Sequence, residues 1–240
     1  KSSNKLLYYI ESGLRTNDFS QIEEYNRVIV SHLADINFCN HESNRQNLLN
    51  ENINNNKIIV TGSTVYSSVM EISLSDKESD DREYILLTLH RPENVDNIER
   101  LNSILEAIDS LNFHTIFPVH PRTKNHIDTL DQTYENILFI DPQDYEIFLN
   151  LINNSKFVIS DSGGIQEESS ILRKPLLIPR NYTERPEMLN KFNLLTPTPE
   201  NLLHESMKLL KNESELIANI KNSDLLYGKD EVVPKIIKKI

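Results

Sequence analysis

The residues best suited to chemistry lie in one short segment, Asp161-Ser162-Gly163-Gly164-Ile165-Gln166-Glu167-Glu168. An apolar run precedes it and helical apolar spacing follows, so we predict a strand, a tight loop and a helix start. The chain has only five glycines, and the adjacent pair here permits a sharp turn and close approach to a ligand. A helix N-terminus favours a phosphate, and Glu168 could accept hydrogen bonds from a ribose diol. The segment predicts a nucleotide site; the alternative is a plain turn before a solvated helix face.

Cationic and polar residues also follow three other predicted strands. They are His90-Arg91-Pro92-Glu93-Asn94, His120-Pro121-Arg122 and Arg180-Asn181-Tyr182-Thr183-Glu184-Arg185. Ligands of open parallel sheets bind beyond the carboxyl ends of the strands, so we expect these segments to gather at one rim with the glycine loop. A lone histidine would be unremarkable, but four such segments predict a functional anion site.

The elements that must position these residues alternate regularly after residue 83. Apolar strands are predicted at 84–89, 115–119, 136–140, 157–160 and 175–179, with helices at 98–111, 123–130 and 145–152, from 165, and in the final segments to 240. Strands that are apolar throughout and separated by helices are typical of a parallel sheet covered on both faces. The fold class is therefore α/β.

Fewer strands are predicted in the first part of the chain. Strands are predicted at 5–10, 36–39 and 57–61, helices at 23–33 and 41–49, and a sharp bend at Gly62. A polar stretch at 73–82 is rich in Ser, Asp and Glu and is the predicted linker. We therefore divide the chain into a first domain at 1–72, the linker at 73–82 and a second domain at 83–240.

Composition excludes several classes of protein. The 240 residues are 38% hydrophobic, which suffices for one large or two modest cores. The net charge of -11 argues against nucleic acid or an anionic membrane as the main partner. The single Cys39 excludes an internal disulfide and fits a reducing, cytoplasmic location. No apolar run reaches the roughly 20 residues of a membrane helix, and the seven histidines lack zinc-ligand spacing.

Six motifs together resemble the UDP-N-acetylglucosamine 2-epimerase family. They are Glu11-Ser12-Gly13-Leu14-Arg15, Glu23-Glu24-Tyr25-Asn26-Arg27, His90-Arg91-Pro92-Glu93-Asn94, Phe117-Pro118-Val119-His120-Pro121, the segment from Asp161 to Glu168, and Thr183-Glu184-Arg185-Pro186-Glu187. The resemblance runs from Tyr9 to the last helix. It implies two Rossmann-like domains of the GT-B type, the first of them incomplete in this chain.

The resemblance also implies which residues bind substrate and which react. The substrate-binding residues are Ser162, Gly163 and Gly164 for the diphosphate, Arg185 for a further phosphate contact, Glu168 for the ribose, Phe148 for the uracil, His120 near the diphosphate and sugar, and Arg15 beside the carboxylates. The catalytic residues are Glu11, Glu23 and His90. The neighbouring Glu24 and Glu167 are expected to be solvated or to cap helices.

The reaction implied is reversible inversion at C2 of UDP-N-acetylglucosamine to UDP-N-acetylmannosamine, through elimination and re-addition of UDP. Two carboxylates suit the removal and return of the C2 proton, and cationic and N–H groups suit a departing diphosphate. No metal or redox cofactor is required. We also expect a cytoplasmic homodimeric isomerase of cell-envelope polysaccharide biosynthesis, with a UDP-sugar as ligand and no nucleic-acid or membrane partner.

Four alternatives remain open. A hydrolysing relative would release N-acetylmannosamine and UDP, and a related amino-sugar nucleotide could be the substrate. A GT-B glycosyltransferase would share the nucleotide site but would not need Glu11 and Glu23. A truncated remnant would bind UDP without chemistry.

This sequence also departs from the family pattern. Ser12, Ile22 and Ser63 stand where alanine, proline and asparagine are usual. Family members carry opening strands before the first motif, including an early basic loop and an aspartate taken to be catalytic. We therefore expect exposed sheet edges and apolar faces within residues 1–63, and a chain that is part of a longer polypeptide or pairs with a separate first half.

Overall fold

The computed structural model describes residues 5–74, 82–130, 132–228 and 231–240, which form two compact units. Unit 1 comprises the described residues of Lys1–Glu71, Glu184–Glu187 and Leu225–Ile240, and unit 2 those of Ile72–Thr183 and Met188–Asp224. The sequence-based division assigns residues 184–187 and 225–240 to the second domain, so the two divisions differ there. Most of the predicted linker, residues 75–81, lies outside the described residues.

The strands and helices alternate along most of the chain. In chain order they are β1 (Tyr8–Ile10), α1 (Ile22–Leu33), β2 (Ile36–Cys39), α2 (Glu42–Asn50), β3 (Ile58–Val60), α3 (Thr64–Glu71), β4 (Ile85–Thr88), α4 (Pro92–Val95), α5 (Ile98–Asp109), β5 (Thr115–Pro118), α6 (Pro121–Ile127), β6 (Ile137–Ile140), α7 (Tyr145–Asn154), β7 (Val158–Ser160), α8 (Gly163–Ile171), β8 (Leu176–Ile178), β9 (Asn193–Leu195), α9 (Pro199–Leu210), α10 (Glu215–Asn222) and α11 (Val232–Ile237). Short 3-10 turns lie at Asn55–Lys57 and Pro186–Met188.

Unit 1 is built on a three-stranded parallel sheet in the order β1-β2-β3. Successive side chains of a strand point to opposite faces, and β2 shows this clearly. Phe38 packs with Val232 and Ile236 of α11, whereas Cys39 packs with Leu48 of α2. The last helix of the chain therefore covers one face of this sheet and α2 contributes to covering the other.

Apolar side chains remain exposed along α1 and at the start of β1. Ile22, Ile29 and Leu33 are exposed on the helix, and Leu6 is exposed just before the strand. β1 is also an outer strand of the sheet, so one of its edges has no neighbouring strand in the described chain. These exposures agree with the apolar surface expected for residues 1–63.

Unit 2 is built on a six-stranded parallel sheet in the order β6-β5-β4-β7-β8-β9. The chain starts in the middle, moves outward through β5 and β6, and then crosses back to β7. This is the order of the Rossmann fold, in which the connections diverge at a switch point between the two central strands, here β4 and β7. A large core beneath this sheet includes Ile85, Leu87, Phe117 and Ile159. The parallel α/β sheet predicted from the sequence is confirmed.

Three short elements were not expected from the sequence. They are α3, α4 and β9, and each has weak local signals. β9 has only three residues, and its pairing with β8 rather than a long apolar run makes it a strand. The predicted bend at Gly62 is confirmed, since its φ is +91° and an added Cβ would meet the Tyr227 carbonyl oxygen at 2.9 Å. Within the described residues, no helix combines the length and hydropathy needed to cross a bilayer.

Candidate functional site

The loops after β4 and β7 meet at the switch point of the unit 2 sheet through Asp161. This fully buried carboxylate accepts the backbone N–H groups of His90 at 3.1 Å and of Arg91 at 3.0 Å. It also accepts Nδ2 of Asn94 at 3.0 Å, and it lies 3.2 Å from Nδ1 of His90. Asp161 therefore fixes both the backbone of the loop and the ring of His90.

Opposing effects act on the ionisation of Asp161. Burial raises its pKa, but the hydrogen bond and charge of His90, together with the hydrogen bonds from Asn94 and the Arg91 backbone, lower it further than burial raises it. The net pKa lies below the ordinary value of 3.8. Asp161 is therefore an anion at neutral pH, which favours a proton on Nδ1 of His90.

The two strand-end histidines are neighbours. The ring centroids of His90 and His120 lie 5.8 Å apart, as expected for residues that follow the adjacent strands β4 and β5. Nδ1 of His120 accepts the backbone N–H of Arg122 at 3.2 Å and so caps α6. With Nδ1 acting as an acceptor, a neutral His120 carries its proton on Nε2. That N–H is a donor suited to an anionic oxygen.

β7 ends at Ser160 and α8 begins at Gly163, so the predicted strand, tight loop and helix start are confirmed. Gly163 and Gly164 are the first two helical residues, and Ser162 is the extended N-cap without a side-chain capping bond. The expected sharp turn at this pair is wrong, since the described glycines with positive φ are Gly13 and Gly62. The first N–H groups of a helix have no intrahelical acceptor, so an anion can bind there. A Cβ at Gly164 would meet only Oγ of Ser162, at 4.0 Å, so the space next to this residue is open.

Glu168 lies one and a half turns into α8 and is largely buried. The hydroxyl of Tyr145 on α7 hydrogen-bonds to it, and burial, the charge of Glu168 and this hydrogen bond all raise the pKa of Tyr145. Phe148 follows Tyr145 by three residues on α7 and is half-buried. Residues three apart lie on one side of a helix, so Phe148 lies on the same side of α7 as Tyr145, whose hydroxyl bonds to Glu168.

From the sequence, we expect Glu24 and Glu167 to be solvated or to cap helices. Glu24 is fully buried and accepts the backbone N–H groups of Thr16 at 3.0 Å and Asn17 at 2.9 Å, which belong to the loop before α1, so the expected helix-capping role is wrong. Glu167 is also fully buried, and the expectation of a solvated carboxylate is wrong for both residues. Helical periodicity alone did not indicate which side of α8 would be covered.

Glu11 follows β1 in unit 1 in a left-handed backbone conformation, with φ of 64°. Its side chain is 47% exposed, and Oε1 accepts from Nη2 of Arg185 at 2.7 Å. The Arg185 side chain is only 4% exposed. The Glu11 carboxylate, which is expected to react, therefore forms an ion pair with a buried guanidinium.

The other two unit 1 candidates differ in exposure. Glu23 is exposed in the first turn of α1. Arg15 is buried and pairs with Glu51 through Nε at 2.6 Å and Nη2 at 2.8 Å. Its Nη1 donates to the carbonyl of Leu14 at 2.7 Å, so the guanidinium braces the turn that follows Glu11.

The candidates fall into two groups, one in each unit. Unit 2 holds His90, His120, Phe148, Ser162, Gly163, Gly164 and Glu168, and unit 1 holds Glu11, Arg15, Glu23 and Arg185. From the sequence, Asp161 and Asn94 were placed in candidate segments without either being assigned a role, and Tyr145 was missed. A charged residue directly after a buried strand was the signal for Asp161, and the shared helix side with Phe148 was the signal for Tyr145.

Comparisons with known proteins agree with one another. The family described as UDP-N-acetylglucosamine 2-epimerase matches residues 6–240. The UDP-N-acetylglucosamine 2-epimerase of Methanocaldococcus jannaschii is 35% identical over 226 residues, which is 85% of this chain and 62% of that protein. This chain thus spans less than two thirds of that relative.

Solved structures give the same match. The crystal structure of the M. jannaschii UDP-GlcNAc 2-epimerase in complex with UDP-GlcNAc and UDP has a TM-score of 0.86 at 33% identity, covering 98% of this chain and 68% of that one. The Neisseria meningitidis UDP-GlcNAc 2-epimerase bound to UDP-GlcNAc has a TM-score of 0.84 at 30% identity, covering 98% and 69%. The expected fold class, α/β with Rossmann-like units of the GT-B type, is confirmed by these matches and by the two parallel sheets.

Proposed function

This chain belongs to the UDP-N-acetylglucosamine 2-epimerase family, and from that premise we propose that it acts in the reversible conversion of UDP-N-acetylglucosamine to UDP-N-acetylmannosamine. The observation that carries the proposal is the junction at Asp161, which joins His90 to the N-terminus of α8 at the switch point of a parallel sheet. Nucleotides bind at this position in folds of this kind.

In the proposed complex, unit 2 holds the UDP part of the substrate. The first N–H groups of α8, at Gly163 and Gly164, donate to the diphosphate, with Ser162 beside them. His120 donates from Nε2 to the same group. Glu168 accepts the two ribose hydroxyls, and the ring of Phe148 packs on the uracil.

The proposed chemistry is an elimination followed by an addition. The C2 proton passes to a carboxylate, the C–H electrons form a C1=C2 double bond, and the C1–O bond breaks with its electrons on UDP. A proton then returns to the opposite face of C2, and UDP adds back to C1. His90, polarised by Asp161, stabilises the departing diphosphate.

Unit 1 supplies the proton-transfer groups of the proposal. Glu11 and Glu23 are the two carboxylates, both exposed, and the reaction needs one to accept a proton and one to donate it. Arg15 acts indirectly, since its pair with Glu51 braces the turn after Glu11. The expected homodimer and cytoplasmic location belong to this same proposal.

The experiment is an NMR assay of the chain with UDP-N-acetylglucosamine in D₂O. We expect deuterium at C2 and a second signal set from the manno epimer, without net accumulation of free UDP. Glu11→Gln should abolish exchange and keep UDP binding, and Glu168→Ala should weaken UDP binding. Glu71→Gln and Glu146→Ala are matched controls, because both carboxylates are exposed.

Three outcomes would contradict the proposal in different ways. Stoichiometric release of UDP and free sugar would assign hydrolysis instead. UDP binding without exchange of the C2 proton would show that the chain binds the nucleotide but does not catalyse the reaction. Exchange that survives Glu11→Gln and Glu23→Gln would remove the carboxylates from the mechanism.

A further inference from the structure

The pair formed by Arg185 and Glu11 has an asymmetric environment. The guanidinium is buried, with 4% of the side chain exposed, while the carboxylate is 47% exposed. Nη2 of Arg185 donates to one carboxylate oxygen, Oε1, at 2.7 Å. A buried arginine that donates a hydrogen bond to an exposed carboxylate restricts the rotation of that carboxylate.

We propose that Arg185 is a positioning residue for Glu11, holding its carboxylate in the orientation needed to accept the C2 proton. This inference rests on the proposed function, which names Glu11 as a proton-transfer group. It differs from the phosphate contact that the family resemblance implies for Arg185. A positioning arginine acts on the rate of proton transfer, whereas a phosphate ligand acts on nucleotide affinity.

Arg185 is itself held by a series of alternating charges in unit 1. Its Nη1 lies 3.6 Å from Oε1 of Glu184, and the same oxygen lies 3.9 Å from Nη2 of Arg27. Arg27 in turn lies 3.3 Å from Glu24, which accepts the backbone N–H groups before α1. Each guanidinium therefore has carboxylates on two sides, which fixes its position better than one ion pair would.

Burial identifies Glu11 as the reactive member of this series. Glu24 and Glu184 are both buried, so their carboxylates serve the arginines and the backbone. Glu11 is the one carboxylate of the three that solvent reaches substantially. A substrate proton can therefore be transferred to Glu11, while the other two maintain the charge balance around Arg185 and Arg27.

The backbone also holds Glu11 in one place. A φ of 64° is unfavourable for a residue with a Cβ and persists where surrounding contacts impose it. Gly13 has a φ of +86°, and an added Cβ would collide with the backbone carbonyl of Asn44. The pair between Arg15 and Glu51 braces the same turn. Backbone and side chain of Glu11 are thus both restrained.

The test compares Arg185→Met, Arg185→Lys, Glu11→Gln and the double variant Arg185→Met/Glu11→Gln. The readouts are kcat and KM for C2 exchange in D₂O and the affinity for UDP by calorimetry. General acid or base catalysis contributes on the order of 10² to 10⁴ in rate, so we expect Arg185→Met to lower kcat about 100-fold. UDP affinity should change less than about two-fold, and Arg185→Lys should recover part of kcat.

The double variant provides the sharpest comparison. If Arg185 acts through Glu11, removing it from a chain that already carries Glu11→Gln should slow exchange no further. Arg45→Met is the control, because Arg45 is a unit 1 arginine that pairs with Glu42 on α2 outside the proposed machinery. Circular dichroism and thermal unfolding show whether each variant is folded, and Arg185→Lys keeps the charge if Arg185→Met does not fold.

Several results would overturn the inference. A loss of UDP affinity at unchanged kcat would make Arg185 a phosphate ligand, and additive losses in the double variant would remove the coupling to Glu11. If the unaltered chain exchanges its C2 proton and Glu11→Gln abolishes this but Arg185→Met does not, the positioning role fails alone. An unaltered chain that binds UDP without exchange refutes both the proposed function and this inference.

Discussion

The carboxylate of Asp161 lies 3.2 Å from Nδ1 of His90 and accepts the backbone N–H of the same residue at 3.1 Å. One buried side chain thus joins the loops after β4 and β7. A hydrogen bond to a charged group is worth roughly 1.5 to 3 kcal/mol, so losing this anion should be measurable. It links the stability of unit 2 to the geometry of its candidate site.

We predict that Asp161→Asn lowers the free energy of unfolding by about 2 kcal/mol at pH 7. The pKa of Asp161 is lowered in the folded chain, so its contribution is present above the ordinary value of 3.8 and disappears as pH falls through the lower folded value. The difference between Asp161→Asn and the unaltered chain should therefore shrink below pH 3.8. Urea unfolding of both chains at pH 7, 5 and 3 measures this difference in the free energy of unfolding.

Asp141→Asn is the control for this series, because Asp141 is 83% exposed beside Lys124. A constant difference across the pH range would show that the charge of Asp161 contributes nothing to folding.

Removing the hydroxyl of Tyr145 should affect nucleotide recognition through Glu168. Tyr145→Phe keeps the aromatic ring on α7 but removes the hydrogen bond to the Glu168 carboxylate. We expect about five-fold weaker UDP binding, equivalent to about 1 kcal/mol, and a smaller effect on 2′-deoxy-UDP. Calorimetry with both nucleotides measures this. Tyr134→Phe is the control, since that hydroxyl bonds to Asn102 at 2.6 Å; equal losses for both nucleotides would contradict a role at the ribose.

Gly164→Ala should separate nucleotide binding from folding. The added Cβ meets only Oγ of Ser162, at 4.0 Å, and alanine is favoured over glycine in helices by roughly 1 kcal/mol. We expect unchanged or slightly higher stability, and about ten-fold weaker UDP binding because the methyl group occupies the space for the diphosphate.

Gly13→Ala provides the contrast for the glycine test. Its φ of +86° and the nearby Asn44 carbonyl make any side chain costly, so this variant should be strongly destabilised. Chemical unfolding and UDP calorimetry compare the two variants. Full UDP affinity in Gly164→Ala would show that the diphosphate lies elsewhere.

The thiol of Cys39 should be unreactive in the folded chain. Burial, and then the charge of Glu42, raise its pKa from 9.0 to about 12. Since the thiolate is the nucleophile, a disulfide reagent at pH 8 should label the native chain very slowly. Labelling should be complete in denaturing urea, and absorbance follows both reactions. Rapid native labelling would mean that unit 1 opens readily around α2.

Much of the fold followed from short-range patterns. The local sequence determines the apolar strands of unit 2 and the helices between them. The sequence therefore predicted their succession along the chain and the parallel sheet. The placement of His90, His120 and the start of α8 at one sheet edge followed from the same pattern. β9 and α3 escaped prediction because pairing and packing, rather than local composition, hold them.

By itself, the sequence determined the α/β class, the family motifs and the two sets of candidate residues. Only the tertiary structure decided that Arg185 contacts Glu11, 174 residues away, and that the final helix packs against the first sheet. It also decided which acids are buried, separating Glu24 and Glu184 from Glu11. The physical reason is that periodicity records which side of an element faces inward, whereas ion pairing depends on which distant groups share that interior.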